Sequence, residues 1–369
     1  MNKKKIRVCF PFIGDSIGGS HLSAIELIKK LDNKKFEIKL LLHKKGILHD
    51  YLIKEGFKPF FLKTNLFERK KKGIIINLLG LFINIIKILP FIKKNNIDIV
   101  HLNDSSAGLS WIIPTTISKA KLIWHQRIVF PKWRLYKVLS FFPDKIICVS
   151  SYVYRSLPQF SKNKSVKIFD PVSVKQNDNN DLFLKKRFFI NNNEKRILFL
   201  ANIIENKKID VFIKNAKIIT KLNSSIKFYI VGSNKKKLLK KRTLKEFKNK
   251  IIYVGETRNI SFWFKNCNLL LVTAENEGFN RTIAEGMLSK IPIIAINSGA
   301  HNEIIKNNYN GWLVNPDNIE YLSKLSLKVL NLKKIFINKI LETAKSFVRK
   351  KYEPTTHAKK VSKVYRELV

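Results

Sequence analysis

The chain has 369 residues, 45% of them hydrophobic, with 14 glycines and 11 prolines. This composition is that of a globular protein of about two or three domains, and it excludes collagen-like and disordered chains. The 71 Lys and Arg against 27 Asp and Glu give a formal charge of +44, and three cysteines are too few for a disulfide framework.

The positive charge points only weakly to an anionic partner. Nucleic acid, an anionic membrane surface and a phosphorylated substrate are the candidates. Most of the basic residues are Lys, whereas planar bidentate recognition of phosphates and bases favours Arg. A chain rich in Lys, Asn and Ile is also typical of AT-rich coding bias, which raises the charge without any binding function.

The first half of the chain alternates short apolar runs with segments of helical periodicity. A helix is predicted over residues 22–31. Such alternation predicts a parallel sheet that is covered on both faces. The predicted strands are residues 6–12, 36–42, 97–103, 121–125 and 145–150.

One apolar segment, residues 73–92, approaches the length of about 20 residues that a membrane span needs. Lys87 and Pro90 interrupt it, and a basic run, residues 68–72, precedes it. We expect this segment to form a buried helix. One alternative is a helix that lies in the plane of an anionic membrane, beside Lys70, Lys71 and Lys72, and a second alternative is a helix that spans the membrane. The N-terminal apolar run is too short for a secretory signal. A cytoplasmic protein is therefore expected, with peripheral attachment to the inner membrane face as a further expectation.

A polar, Asn-rich stretch, residues 170–196, predicts an interdomain connection, and a second alternating series follows it. The chain ends in a helical region that Pro354 interrupts. Two doubly wound α/β units in tandem are the expected architecture, with ligands bound beyond the carboxyl ends of the strands, in the cleft between the units. The predicted strands of the second series are residues 196–202, 227–232, 251–255, 268–274 and 291–297.

The segment EGFNRTIAE, residues 277–285, carries the most chemical information. It predicts a strand-to-helix turn with a helix that begins near Asn280 and Arg281 and offers free backbone N–H groups to an anion. Glu277 and Glu285 cannot both contact a phosphate, because like charges repel, and are better suited to accept hydrogen bonds from sugar hydroxyls. Arg281 is either a further phosphate-binding cation or a solvated residue of the first helical turn.

This segment resembles the E-G-F-G-x-x-x-x-E signature of the retaining glycosyltransferases of family 4, which have the GT-B fold of two facing Rossmann-like domains. Six further segments are similar to patterns of that family and follow in the same order along the chain. The resemblance implies an acceptor-binding domain at 1–172, a nucleotide-sugar-binding domain at 173–349 and a final helix, 350–369, that packs back on the first. The six segments are IGGSHLS (17–23), IDIVHLN (97–103), KIICVSSYV (145–153), ANIIENKKIDVFI (201–213), SGAHNEII (298–305) and NGWLV (310–314).

The resemblance also implies roles on the donor side. Glu277 would bind the donor sugar near the reacting carbon, and Glu285 would bind the ribose hydroxyls. The backbone of Gly278, Phe279 and Asn280 would contact the sugar and the diphosphate.

Further implied roles fall on the diphosphate and on the acceptor. Lys207 would neutralise the diphosphate leaving group. Gly18 and Gly19 would form a loop that approaches the cleft, and His125 would lie on the acceptor side. His101 is expected to be a structural residue at a strand end.

The chain departs from the family pattern at several positions. Asn202 stands where the family has an Arg on the donor side, and Lys208 replaces a Gly. Ala300 replaces a Gly in a later loop. These departures leave open an altered donor choice or reduced activity.

The function that the resemblance implies is retaining transfer of a sugar from a nucleotide-sugar donor to a glycan or lipid-linked acceptor in surface polysaccharide or lipopolysaccharide synthesis. The resemblance implies that the acceptor attacks the same face of the donor sugar from which the leaving group departs. The leaving phosphate would help to deprotonate the acceptor. No cofactor, metal or nucleic acid is expected, and no pair of the seven histidines has the i, i+4 spacing of metal ligands. The alternatives are a basic nucleic-acid-binding protein, and a sugar-nucleotide epimerase or inactive homologue of the same fold.

Overall fold

The structure, a computed structural model, separates into two compact units. They are Met1–Pro171 together with Pro354–Val369, and Val172–Glu353. The first boundary lies one residue before the predicted one, and the returning segment starts at 354 rather than 350. The described residues are 4–64, 74–103, 105–131, 134–174, 181–188, 190–191, 194–247, 250–257 and 259–369.

The first unit contains a seven-stranded parallel sheet with the strand order β3-β2-β1-β4-β5-β6-β7. The chain builds outward from β1 and then returns to place β4 beside it, so the order reverses between β1 and β4. The strands are Ile6–Phe12 (β1), Phe36–Leu42 (β2), Phe60–Phe61 (β3), Ile99–Leu102 (β4), Lys121–Gln126 (β5), Lys145–Cys148 (β6) and Ser165–Lys167 (β7).

Helices lie between these strands, and α1 shows why they pack. Its apolar side chains recur at the 3–4 residue spacing of one helix face, and Ala24, Leu27 and Ile28 join Val8 and Phe10 of β1 in one core cluster. The helices between the strands are Gly19–Lys30 (α1), Ile47–Lys54 (α2), Ile74–Lys94 (α3), Ser105–Ser118 (α4), Arg134–Leu139 (α5), Ser151–Arg155 (α6) and Gln159–Lys162 (α7).

The apolar segment 73–92 forms helix α3, as expected. Ile88 and Ile92 are fully or almost fully buried, whereas Phe82 and Ile86 are 62% and 59% exposed. Between residues 82 and 92 the helix therefore has one buried face and one exposed face. The described helices include none that combines the length and the apolar character needed to cross a bilayer. The basic residues Lys70, Lys71 and Lys72 lie outside the described residues.

The second unit contains a six-stranded parallel sheet with the order β10-β9-β8-β11-β12-β13. This order reverses between β8 and β11, as the first sheet does between β1 and β4. The strands are Arg196–Leu200 (β8), Lys227–Val231 (β9), Ile251–Gly255 (β10), Leu269–Val272 (β11), Ile293–Ile296 (β12) and Trp312–Val314 (β13). The helices are Asp181–Arg187 (α8), Ile209–Leu222 (α9), Lys241–Glu246 (α10), Ile260–Asn266 (α11), Arg281–Leu288 (α12), His301–Ile304 (α13), Ile319–Leu330 (α14) and Lys334–Lys351 (α15).

Every predicted strand is present, with ends that shift by up to two residues. The pattern missed β3, β7 and β13, because runs of two or three residues show no periodicity. The polar stretch that predicts a connection contains α8, whose single apolar cluster is too short to show a helical repeat.

The last helix, Pro354–Leu368 (α16), belongs to the first unit. It begins at a proline, which suits a first helical turn because no intrahelical partner is needed there for its missing N–H. Ala358, Val361 and Tyr365 recur at helical spacing and pack into the core cluster of β1 and α1.

Candidate active site

The loops that leave β8 and β11 meet at the point where the strand order of the second sheet reverses. The backbone N–H of Glu275 donates to the carbonyl of Asn206 over 2.8 Å, and the Thr273 hydroxyl donates to the carbonyl of Lys207 over 2.8 Å. In open parallel sheets the carboxyl ends of the strands at such a point form the ligand-binding crevice.

These loops bring a predicted cation and a predicted carboxylate together. Lys207 Nζ lies 2.9 Å from Glu277 Oε1, and Asn206 Nδ2 donates to the same oxygen over 2.6 Å. The Lys207 and Glu277 side chains are 19% and 15% exposed, so the pair is largely but not wholly removed from solvent. A cation and a carboxylate in contact at a crevice can bind a phosphate and a hydroxyl of one ligand.

A glycine holds the backbone of Glu277 in place. Gly299 has φ +62°, and a Cβ built on it would lie 2.5 Å from the Glu277 carbonyl oxygen and 2.6 Å from its nitrogen. The next residue, Ala300, donates its N–H to that carbonyl over 2.9 Å. The loop after β12 thus presses directly against the residue that carries the carboxylate.

Helix α12 begins beside this carboxylate, as the sequence predicts. Asn280 is its N-cap, with Oδ1 accepting from the Ile283 N–H. Its Nδ2 lies 3.2 Å from His301 Nε2, while His301 Nδ1 lies 2.7 Å from the Ile296 carbonyl. A carbonyl can only accept, so His301 donates from Nδ1 and accepts from Asn280 at Nε2. Burial lowers the pKa of His301, which keeps the ring in this neutral form.

Arg281 and Glu285 form an ion pair one turn apart on α12. The Arg281 Nη2 atom lies 3.1 Å from Glu285 Oε1, and the side chains are only 9% and 13% exposed. The interpretation of Arg281 as a solvated first-turn residue is therefore wrong. The i, i+4 spacing places both side chains on one face of the helix, which the predicted helix start already implied.

A depression in the second unit lies beside Lys207 and the first turn of α12. Its wall includes the ends of β8 and β11, the Lys207 turn and the first residues of α12. The residues that line this part of it are Ala201, Lys207, Thr273, Ala274, Asn280 and Thr282.

The remaining predicted donor-side residues lie around the same loops. Gly278 is buried, and the Phe279 ring packs edge-on against Tyr352 with 5.2 Å between the centroids. Asn202 is exposed, and its Oδ1 accepts from the Ser233 N–H over 3.2 Å.

Lys208 has a left-handed backbone, with φ 49° and ψ 54°. Glycine adopts this conformation without the penalty that a Cβ brings. The glycine that the resembled pattern has at this position would fit this backbone. Lys208 Nζ lies 3.3 Å from Glu275 Oε2, so its charge is directed at a neighbouring carboxylate.

The first unit has its own loops at the point where its strand order reverses. Gly18 is the N-cap of α1 and Gly19 its first residue, and the Gly18 N–H donates to His21 Nδ1 over 3.1 Å. A Cβ on Gly18 would meet only that nitrogen, at 3.9 Å. Packing within the described unit therefore does not itself require glycine at position 18.

His125, at the end of β5, is enclosed by polar side chains, and its own side chain has no exposed surface. His125 Nδ1 lies 3.1 Å from His101 Nε2, and His125 Nε2 lies 3.7 Å from Asp170 Oδ1. Asp170 accepts from Arg127 Nε over 3.1 Å. Sequence patterns did not reveal the parts played by Arg127 and Asp170. Arg127 stands in the WHQR segment, but its partner is 43 residues away.

Within the described residues, no group of three or more His, Cys, Asp or Glu side chains is arranged to hold a metal ion.

The two parallel sheets and their helices constitute the GT-B glycosyltransferase fold, as the sequence predicts. The structure of the Anabaena protein HepE in complex with UDP-glucose superposes with a TM-score of 0.82 at 15% identity, covering 98% of this chain and 100% of that one.

Residues 181–352, in the second unit, match the model of the family described as glycosyl transferases group 1. An uncharacterized glycosyltransferase of Methanocaldococcus jannaschii is 26% identical over 372 residues, covering 95% of each chain. The UDP-Gal:alpha-D-GlcNAc-diphosphoundecaprenol alpha-1,3-galactosyltransferase of Escherichia coli is 22% identical over 86% of each. The predicted resemblance to group 1 glycosyltransferases is confirmed by these matches, while assignment to family 4 stays a prediction.

Proposed function

We propose that the protein transfers a sugar from a nucleotide-sugar donor, with retention of configuration, to a glycan or lipid-linked acceptor in surface polysaccharide or lipopolysaccharide synthesis. The observation that carries this proposal is the contact between Lys207 and Glu277 beside the first turn of α12. It brings a cation suited to a phosphate and a carboxylate suited to a hydroxyl into contact.

The donor diphosphate would bind between Lys207 and the N-terminus of α12. Departure of a nucleoside diphosphate leaves negative charge, which a lysine and free backbone N–H groups stabilise. The helix terminus contributes roughly 0.3–1 kcal/mol when exposed and up to about 2 kcal/mol when partly buried. Lys207 is already oriented by Glu277 and by the backbone contact of its carbonyl with Thr273, so little reorganisation is needed.

Glu277 would bind the sugar rather than attack it. Its Oε1 takes hydrogen bonds from both Lys207 and Asn206, so among the described residues Oε2 is the oxygen left for sugar hydroxyls. Retention through a covalent intermediate needs a second carboxyl about 5 Å from the nucleophile. The Glu277 carboxylate is paired with Lys207, which suits a binding role, and we propose same-face attack with the leaving phosphate taking the acceptor proton.

Glu285 would bind the ribose. Its carboxylate is held by Arg281 within a largely buried pair, which fixes its orientation. We therefore propose that Arg281 positions Glu285 rather than binding the diphosphate.

The proposed donor and acceptor classes draw on the relatives. HepE is in complex with UDP-glucose, and the Escherichia coli relative is named for a UDP-galactose donor and a diphosphoundecaprenol-linked acceptor. We propose a UDP-sugar donor and a lipid-linked acceptor as the first to test.

A lipid-linked acceptor suits peripheral attachment to an anionic membrane, which we propose for the surface formed by α3 and β3. Phe60 and Phe61 are 40% and 48% exposed, and the Phe60 ring lies 5.7 Å from Phe91 of α3. Lys39 Nζ lies 5.5 Å from the Phe60 ring centroid and Lys45 Nζ lies 5.6 Å from that of Phe61, which places cations beside these rings. Exposed aromatic side chains among lysines match the chemistry of an anionic lipid surface.

Calorimetry with UDP, GDP and ADP tests the donor proposal. One nucleotide should bind more tightly than the others, and Glu285→Ala should weaken it. Glu320→Ala, in the first turn of α14, is the matched control and should bind like the wild type. Binding of none of the three would overturn the proposal. Steep salt-dependent affinity for DNA or RNA would favour the nucleic-acid alternative.

Two further assays test the reaction and the location. The anomeric configuration of the product, read by NMR, should match that of the donor, and an epimerised free nucleotide sugar would instead identify an epimerase.

Flotation with anionic vesicles should recover the wild type and lose the double variant Phe60→Ser, Phe61→Ser. The exposed Phe336 of α15 provides the control variant Phe336→Ser, and equal loss in both variants would count against this surface.

A further inference from the structure

A chain of buried polar contacts runs from the last helix to the end of β5 in the first unit. The Tyr365 hydroxyl lies 2.7 Å from His101 Nδ1, and His101 Nε2 lies 3.1 Å from His125 Nδ1. Tyr365, His101 and His125 are each at most 2% exposed. Phe10 stacks on His101 with 4.7 Å between the ring centroids, so the order of contacts is held by packing as well.

The partners at the two ends of this series of contacts determine which group donates in each hydrogen bond. Among the described residues, the hydroxyl of Tyr365 has His101 Nδ1 as its hydrogen-bond partner. A buried hydroxyl that accepted there would leave its own proton unbonded, so Tyr365 donates. His101 then carries its proton on Nε2 and donates to His125 Nδ1. His125 is left with its proton on Nε2.

The surroundings of His125 Nε2 favour the same arrangement. This atom is buried without a hydrogen-bond partner among the described residues, and the Asp170 carboxylate lies 3.7 Å from it. A carboxylate attracts an N–H and repels a nitrogen lone pair. Asp170 itself accepts hydrogen bonds from Arg127 Nε, which hold its carboxylate in place.

Both rings are neutral, as this argument requires. Burial, the nearby Arg127 charge and the neighbouring histidines together hold the pKa of His101 and of His125 well below the ordinary value. His357 faces His125 from α16, with 6.2 Å between ring centroids, and its pKa is also lowered.

We propose that Tyr365 is a positioning residue of the acceptor side, which acts through His101 to hold His125 as the tautomer that donates from Nε2. The assignment to the acceptor side rests on the proposed function, whereas the tautomer does not. In this state His125 is a hydrogen-bond donor to an oxygen and has no lone pair at Nε2 to take a proton. The acceptor proton must then leave by another route, which agrees with transfer to the departing phosphate. The last helix thereby supplies a chemical function to the first unit in addition to packing.

Histidine side-chain ¹⁵N NMR on the full chain tests this proposal. The protein has only seven histidines, and the variants His101→Asn and His125→Asn assign the two rings by loss of their signals. Near neutral pH the wild type should show a protonated Nε2 and an unprotonated Nδ1 on both rings. Tyr365→Phe retains the buried ring and its edge contact with Phe36, but removes the proton donor. It should convert His125 to a mixture of tautomers.

Tyr229→Phe is the matched control. It also removes one hydroxyl hydrogen bond of a buried tyrosine, to the Phe188 carbonyl in the second unit, and should leave the His125 signals unchanged. A wild-type His125 protonated at Nδ1 would overturn the proposal, whether or not the Tyr365 variant folds. An unchanged His125 in folded Tyr365→Phe would also overturn it. If the tautomers are as expected but the protein binds no nucleotide, the role of Tyr365 in holding the His125 tautomer stands. The proposed function alone is then refuted.

Discussion

Replacing Gly299 by alanine isolates the contact that holds Glu277 in position. The new Cβ would lie 2.5 Å from the Glu277 carbonyl oxygen, whereas ordinary contact begins at 3.4 Å. The two loops must therefore separate by about 0.9 Å, the difference between those distances. An L-residue at φ +62° also costs about 1–2 kcal/mol of backbone strain.

The expected result is a loss of both stability and activity. Misplacement of a substrate-binding group by about 1 Å can cost on the order of 10²-fold in rate, so Gly299→Ala should reduce transfer by that order. Urea unfolding should show a loss of at least about 1–2 kcal/mol from strain alone. Calorimetry with the preferred nucleotide and initial-rate measurements separate binding from turnover.

Gly255→Ala is the control that separates strain from displacement. Gly255 has φ +87°, but its Cβ would meet nothing within 4 Å. This variant should lose about the same backbone-strain energy and keep its activity. If Gly299→Ala matched Gly255→Ala in both stability and rate, the argument that Gly299 positions Glu277 would be refuted.

Three further outcomes are expected from urea unfolding. Lys208→Gly should be about 1 kcal/mol more stable than Lys208→Ala, because both variants lose the same ion pair but only the alanine variant keeps the strain of the left-handed backbone. Equal stabilities of the two variants would contradict this reasoning. Asn280→Ala should cost about 1 kcal/mol or more through the lost N-cap of α12, whereas Asn280→Asp should recover the cap contribution; a neutral alanine variant would exclude the cap. Stability should fall as pH drops below about 6.5, by about 1 kcal/mol per pH unit for each of His101, His125 and His357. The reason is that burial lowers the pKa of each of these rings in the folded state, that of His357 to about 4, so the unfolded chain binds more protons. His125→Asn should make this dependence shallower, and an unchanged slope would remove His125 from the account.

The candidate site of the second unit was partly predictable because its residues are close in sequence or belong to one motif. The segment 277–285 predicts the turn before α12 and the helix start near Arg281. Once the helix starts there, the 3.6-residue repeat places Arg281 and Glu285 one turn apart on the same face. The burial of that pair did not follow, because an Arg and a Glu in a first turn are equally compatible with a solvated face. Nor could the sequence show that Lys208 is left-handed, since a lysine carries no signal for that conformation.

Sequence alone determined the two α/β units, most strand positions and the glycosyltransferase resemblance. Parallel strands buried on both faces form continuous apolar runs, and helices that cover them show the 3.6-residue period, so local pattern carries this information. Only the tertiary structure decided which polar groups meet. Lys207 contacts Glu277 because two neighbouring strands end at one edge of a sheet, and Tyr365 reaches His101 across 264 residues because α16 packs into the first core. Hydrogen bonds and ion pairs act over a few ångströms in space, and no pattern of spacing along the chain encodes such a distance.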